Sequence, residues 1–306
     1  MSLRIVSFHS SGSLVPGVLV GEDRILPLIP ALAKHGIALT AVRDMLALWP
    51  SLAPLVSAEA RTGDVELIAL DSVRLGPPLP DPGQVIAVGF NYGTHSGTEL
   101  ELTSKADPVV FMKSPASVSG PNDEVVRPLA AQALDYEAEV AIVIGRPGHR
   151  IGREQAAAHI AGFMLANDVT ARDIALPPDM ESPLQAQIVR GKGYPTFCPT
   201  GPWLLTVEPG AALPVFDFDL YVNSELRQVG TTEDLVLGFA ETIESVSAAI
   251  ELRAGDVILT GTPGGCGFQM TPPRYLAAGD DVRASSDLLG EMRWRVRDEQ
   301  AMESAS

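Results

Sequence analysis

Short apolar runs broken by Gly/Pro punctuation set the rhythm of the chain. Arg4 to His9 and Gly17 to Gly21 predict strands, followed by an Ala/Leu-rich helical stretch from Ala41 to Leu48. The segment Leu75-Gly76-Pro77-Pro78-Leu79-Pro80-Asp81-Pro82-Gly83 cannot sustain a helix or an inner strand, because its four prolines remove donors and fix φ. A domain boundary is expected there, separating a small N-terminal α/β subdomain, residues 1–75, from a larger unit, residues 76–306. Beyond it, strand-like runs recur at Val85 to Gly89, Val109 to Lys113, Glu139 to Ile144, Gly162 to Ala166, Leu204 to Val207 and Phe218 to Val222. Three more follow, at Val257 to Thr260, Val282 to Ser285 and Glu291 to Val296. Helical periodicity is confined chiefly to Arg153 to Ile160 and Leu237 to Ile250. Many strands and few helices predict a β-rich α+β fold with curled or barrel-like sheets. No period of about 20–50 residues marks a solenoid.

Composition narrows the class. At 306 residues, with 46% apolar and 20% charged positions, the chain can build a sizeable core and is not wholly disordered. A net charge of −16 without any dense Lys/Arg run argues against nucleic-acid or anionic-membrane surfaces. Small molecules, cations or a second copy of the chain are the expected partners. Met1 to Ser7 shows no sustained apolar core or cleavage signal, so no leader is expected, and no stretch is long and apolar enough to span a bilayer. The two cysteines, Cys198 and Cys266, lie far apart and predict free thiols in a reducing cytoplasm.

Candidate chemistry concentrates between Asp135 and Asp173. In Asp135-Tyr136-Glu137-Ala138-Glu139 the two glutamates are two residues apart, so on a strand both project from one face. Asp168, in Asn167-Asp168-Val169-Thr170-Ala171-Arg172-Asp173, supplies a third carboxylate after the strand-like Gly162 to Ala166. Clustered carboxylates repel one another and lose hydration on folding, a cost that a hard divalent cation with oxygen ligands offsets. The alternative is a solvated edge strand bearing ordinary surface acids.

Further segments line up around this cluster in order: Val88-Gly89-Phe90-Asn91-Tyr92-Gly93-Thr94-His95, Pro108 to Lys113, Gly191-Lys192-Gly193-Tyr194-Pro195-Thr196-Phe197, Gly201-Pro202-Trp203, Leu252 to Pro263 and Ala278-Gly279-Asp280. Together they resemble the fumarylacetoacetate hydrolase superfamily over roughly residues 84–297. The resemblance implies a mixed β-roll catalytic domain, a homodimer, and one Mg²⁺ or Mn²⁺ held by Glu137, Glu139 and Asp168. It also implies 2-oxo acids or 1,3-diketo acids as substrates, and Lys192 as the active-site lysine. Arg172 matches an arginine that reaches substrate or pairs with neighbouring acids. Tyr92, Ser117, Thr196 and Thr262 fall in matching motifs and are expected at substrate oxygens, with turn or packing roles as the alternative.

His95 matches a histidine that works with a glutamate to activate water or move a proton. In the family that glutamate lies three residues on, where this chain has Thr98; Glu99 lies four on and is the expected partner. A second departure is Ala175, where hydrolase-type members carry glutamine. Residues 175–190 are expected to loop over the site and tune substrate choice.

The reading that follows is metal-dependent C–C bond cleavage in an acylpyruvate or related 2-oxo acid, with the leaving fragment departing as an enolate held by the metal. Decarboxylation of an oxaloacetate-like acid, or isomerisation or hydration of an unsaturated 2-oxo diacid, would use the same ligands. A catalytically silent 2-oxo acid binding protein is the non-enzymatic alternative. Gly261-Thr262-Pro263-Gly264-Gly265-Cys266-Gly267 lacks the lysine of a phosphate loop and is expected to be a turn that brings backbone near the substrate.

Overall fold

A computed structural model of the chain describes residues 2–39, 41–62, 64–93, 108–208 and 210–300. Its fold is the expected strand-rich α+β class. The main sheet has twelve strands. Its path runs from the N-terminal strands Ile68–Ala69, Arg24–Pro27, Ser13–Val20 and Arg4–Ser10 through Cys198–Thr206, Ile160–Asn167, Ala138–Ile144 and Val257–Leu259 to Val85–Gly89 and Val109–Lys113. A second sheet of five strands is ordered Glu225–Thr231, Asp217–Val222, Asp281–Ser286, Gly290–Asp298 and Val125–Arg127.

The centre of the main sheet explains its own sequence. Ala138–Ile144 is buried at every position, as an inner strand covered on both faces must be. Alternation sends Val140, Ile142 and Ile144 into one apolar core and Ala141 and Val143 into another. The first core is closed by the second sheet and the helix Phe239–Ala249, with the Phe163 ring 5.1 Å from Phe216 and 4.6 Å from Phe239. Each such aliphatic side chain contributes about 1.5–3 kcal/mol by leaving water. The strand that carries the glutamates is therefore anchored from both sides.

The first 75 residues continue this architecture. Arg4 and Ile5 pair antiparallel with Leu205 and Leu204, and Leu75–Gly76 closes back onto Phe8 and Ser7. Ile5, Val18, Leu26 and Val56 share the second core with Val85, Met164 and Leu259.

Two elements depart from the expected pattern. Trp49–Thr62 is a helix with Pro54 inside it; its Trp49, Leu52 and Val56 are buried, so tertiary packing overrides the prolines. Glu225–Thr231 is a strand despite its polar sequence, because only Gln228 and Gly230 are buried. The stretch expected to be helical from Ala41 to Leu48 forms a helix over Val42–Leu46, and that from Arg153 to Ile160 shortens to Arg153–Ala156 with a 3₁₀ turn after it.

Candidate metal centre

Strand register brings the acids together. Ala138 pairs with Asn167 and Glu139 with Ala166, so Glu137 and Asp168 flank the same end of one antiparallel ladder. The Asp168 N–H donates to the Glu137 carbonyl at 2.8 Å, and the Glu137 N–H to Asn167 Oδ1 at 3.2 Å. One carboxylate oxygen each from Glu137, Glu139 and Asp168 lies within 4.8 Å of the others, and all three residues are buried. Among the described residues this is the one such group of His, Cys, Asp or Glu side chains.

Basic groups hold the acids in place. Lys192 Nζ lies 2.6 Å from Asp168 Oδ2 and 2.9 Å from Glu137 Oε2. Lys113 Nζ reaches the other Asp168 oxygen, Oδ1, at 2.7 Å and also donates to the carbonyls of Val169 and Lys192. Arg172 sits 2.6 Å from Glu137 Oε1, is fixed by Asp135 at 2.9 Å, and stacks 4.2 Å from the Phe268 ring centroid. Asp135 in turn accepts the N–H groups of Tyr136, Gly267 and Phe268. Glu139 Oε2 accepts the Gly261 N–H at 2.7 Å.

Glycines at three points make these approaches possible. A Cβ on Gly191 would stand 2.6 Å from the backbone nitrogen of Ala175, and one on Gly193 would stand 2.6 Å from the Val189 carbonyl oxygen, so the helix Ile188–Lys192 can seat its lysine only with glycine on either side. Gly261 has φ +99°, a conformation that disfavours any side chain.

Electrostatics follow from this packing. Burial pushes the Glu139 carboxyl well above its ordinary range, reinforced by the negative charges of Asp168 and Glu137. Burial opposes the charge on Lys192, but Asp168 and Glu137 outweigh it and raise the ammonium's pKa. Cys198 is pushed up to about 12 by burial, and Cys266 well above its usual range, so both thiols stay neutral. Lysines cover much of the charge on Asp168 and Glu137, whereas Glu139 faces like-charged neighbours. An all-oxygen donor set with that imbalance fits a hard dication better than Zn²⁺.

The acids open onto a cavity of about 260 Å³ whose wall also includes Lys192, Arg172 and Thr262. Thr262 Oγ1 donates to the Ala138 carbonyl at 2.8 Å and accepts from Gln228 Nε2 at 2.8 Å. Other residues expected at the substrate lie elsewhere. Ser117 donates its hydroxyl to the Ser114 carbonyl at 2.6 Å, and Thr196 Oγ1 accepts the Val126 N–H at 2.9 Å; both serve the backbone and neither lines the cavity. Tyr92 is buried and off the cavity wall, with burial and the charges of Glu139 and Asp234 raising its phenol. His95 and Glu99 lie outside the described residues. Lys113 is the residue that motif reading passed over, and its signal was a lysine closing an apolar strand, a position that burial permits only with a partner.

The three carboxylates at the end of a central strand ladder, braced by two lysines and an arginine, form an all-oxygen donor set of the kind that can hold a metal ion. Residues 84–297 match the family described as fumarylacetoacetate (FAA) hydrolase C-terminal, and the chain belongs to that superfamily, whose members are enzymes. It is 35% identical over 297 residues to 2,4-didehydro-3-deoxy-L-rhamnonate hydrolase of Sphingomonas sp. (strain SKA58), covering 96% of each chain. A crystal structure described as a probable 2-hydroxyhepta-2,4-diene-1,7-dioate isomerase from Mycobacterium abscessus is 56% identical, with a TM-score of 0.83 over 98% of this chain and 100% of that one. Maleylpyruvate hydrolase from Sphingobium sp. SYK-6, solved with manganese(II) and pyruvate, is 29% identical with a TM-score of 0.76, covering 97% of this chain and 100% of that one.

Proposed function

We propose that this chain is a divalent-metal-dependent hydrolase that cleaves a C–C bond in an acylpyruvate or related 1,3-diketo acid. The observation that carries the reading is the convergence of three buried carboxylates, held by Lys113, Lys192 and Arg172, at the floor of one cavity. Glu137, Glu139 and Asp168 would hold one Mg²⁺ or Mn²⁺, which when bound supplies Lewis acidity to a 2-oxo acid. Manganese and pyruvate in the maleylpyruvate hydrolase structure support that assignment.

The protein's own groups define the rest. Lys113 and Lys192 grip the two oxygens of Asp168, so that carboxylate cannot turn without breaking an ion pair. Arg172, itself clamped by Asp135, does the same for Glu137. Lys192 faces the cavity and opposes negative charge that develops on the 2-oxo acid. His95 with Glu99 is assigned to water: the imidazole takes a proton, hydroxide adds to the distal carbonyl, and the C–C bond breaks to a carboxylic acid and an enolate. The same proton then returns to the enolate carbon. A homodimer built through residues 76–306, with residues 1–75 as a subdomain of it, completes the proposal.

Similarity to the structure described as a probable isomerase from Mycobacterium abscessus favours one other reading, a proton shift in an unsaturated 2-oxo diacid without water. A panel of acylpyruvates and unsaturated 2-oxo diacids with Mg²⁺ or Mn²⁺ separates the two. Hydrolysis yields pyruvate and an acid, and His95→Ala lowers kcat about 10²- to 10⁴-fold while metal affinity holds. An isomer of unchanged mass as the only product would end the hydrolase reading.

A further inference from the structure

Exposure gives the cavity a direction. Its floor is formed by Asp168, Glu139 and Glu137, at 0, 2 and 5% exposed, whereas Val110 and Leu176 on the wall are 37 and 52% exposed. A molecule anchored at the acids therefore extends outward along Val110, Phe111, Leu176 and Ile188, which come from the edge strand Val109–Lys113 and the connection after Arg172. Every one of these four is apolar. The cationic groups on the cavity wall, among the described residues, are Lys192 and Arg172, and both are already engaged by Glu137, Asp168 or Asp135.

Charge balance points the same way. With all groups ionised, the four acids Asp135, Glu137, Glu139 and Asp168 exceed the three bases Lys113, Lys192 and Arg172 by one negative charge. A bound dication turns this into one positive charge, which a single substrate carboxylate neutralises. A second carboxylate would restore the excess, and along Val110, Phe111, Leu176 and Ile188 the described wall offers it no cation that is not already paired, so it gains nothing there that an alkyl group does not gain by burial. Ala175 also lines the wall, and its methyl cannot donate a hydrogen bond to a polar tail.

We infer that the substrate's tail, beyond the reacting carbons, is uncharged: an alkyl or aryl group rather than a second carboxylate. This rests on the 2-oxo acid reading above and adds the chemical class of the tail. Val110, Phe111, Leu176 and Ile188 are its specificity-determining contacts.

The test is calorimetric binding of uncleavable 2-oxo acids to the full chain with Mg²⁺: pyruvate, 2-oxohexanoate and its chain-matched dicarboxylate 2-oxoadipate. Partial burial of three methylenes is expected to make 2-oxohexanoate bind about tenfold more tightly than pyruvate. 2-Oxoadipate is expected to bind at least about tenfold more weakly than 2-oxohexanoate. Leu176→Arg changes an exposed position and keeps the fold; it should improve 2-oxoadipate binding about threefold to fivefold while weakening 2-oxohexanoate. Wild-type protein that fails to bind pyruvate overturns the 2-oxo acid reading and this inference with it. Protein that binds pyruvate, yet takes 2-oxoadipate as tightly as 2-oxohexanoate, overturns the tail assignment alone.

Discussion

The hollow floored by Glu137, Glu139 and Asp168 and a groove along the second sheet both gather carboxylates, and the groove is the larger, about 620 Å³ against about 260 Å³. The groove's wall includes Asp217, Asp219, Asp234, Asp287 and Glu291. All of these but Asp219 are exposed, and Glu291 makes a surface pair with Arg283 at 3.2 Å. In the smaller hollow the acids are buried, their oxygens converge, and three bases reach them from separate elements. Water solvates surface acids at little cost, so their number in the groove carries no chemical message. Burying three together is costly, and a protein that does so with a lysine on each side of Asp168 has built a site.

Substitutions that treat the two regions alike should expose the difference. The largest effect is expected from Lys192→Met, which removes one of the two cations on the described cavity wall and lowers kcat/KM about 10²- to 10³-fold in steady-state assay. Next comes Lys113→Met. It leaves Asp168 Oδ1 without its buried ammonium and should cost about 3 kcal/mol in urea denaturation, with added Mn²⁺ recovering part of the loss. In the groove, Arg283→Met removes an exposed pair and should shift the same denaturation by no more than about 1 kcal/mol. Smallest of all, Asp287→Asn should leave turnover within about twofold, because the side chain is exposed and does not line the cavity. A loss of turnover in Asp287→Asn matching that of Lys192→Met would erase the distinction.

How far the sequence alone reached depended on whether a residue's role was local. Spacing exposed the paired glutamates, because alternation on a strand is a two-residue rule, and the inner strands announced themselves by continuous apolar runs. Ordered motifs extended this to Asp168 and Lys192. Lys113 closed one of the ordered segments but received no role: its significance comes from Asp168, 55 positions away, and Val109-Val110-Phe111-Met112-Lys113 does not by itself say which way the lysine turns. Thr196 and Ser117 show the converse, since a hydroxyl beside a motif looks the same whether it faces a substrate or satisfies a backbone group, and both satisfy backbone groups. The helix Trp49–Thr62 was masked by its prolines, and the polar strand Glu225–Thr231 by a sheet edge that asks for few apolar side chains.

Glu137, Glu139 and Asp168 are proposed to hold the metal ion on which the chemistry depends. Calorimetric titration with Mn²⁺ of the wild-type chain, Glu139→Gln and Asp287→Asn tests this directly. One ion per chain is expected in the wild type, unchanged affinity in Asp287→Asn, and a loss of about 100-fold or more in Glu139→Gln, where a neutral amide replaces a ligand carboxylate. Wild-type protein that takes up no ion, or Glu139→Gln that binds it as tightly as the wild type, would contradict the assignment.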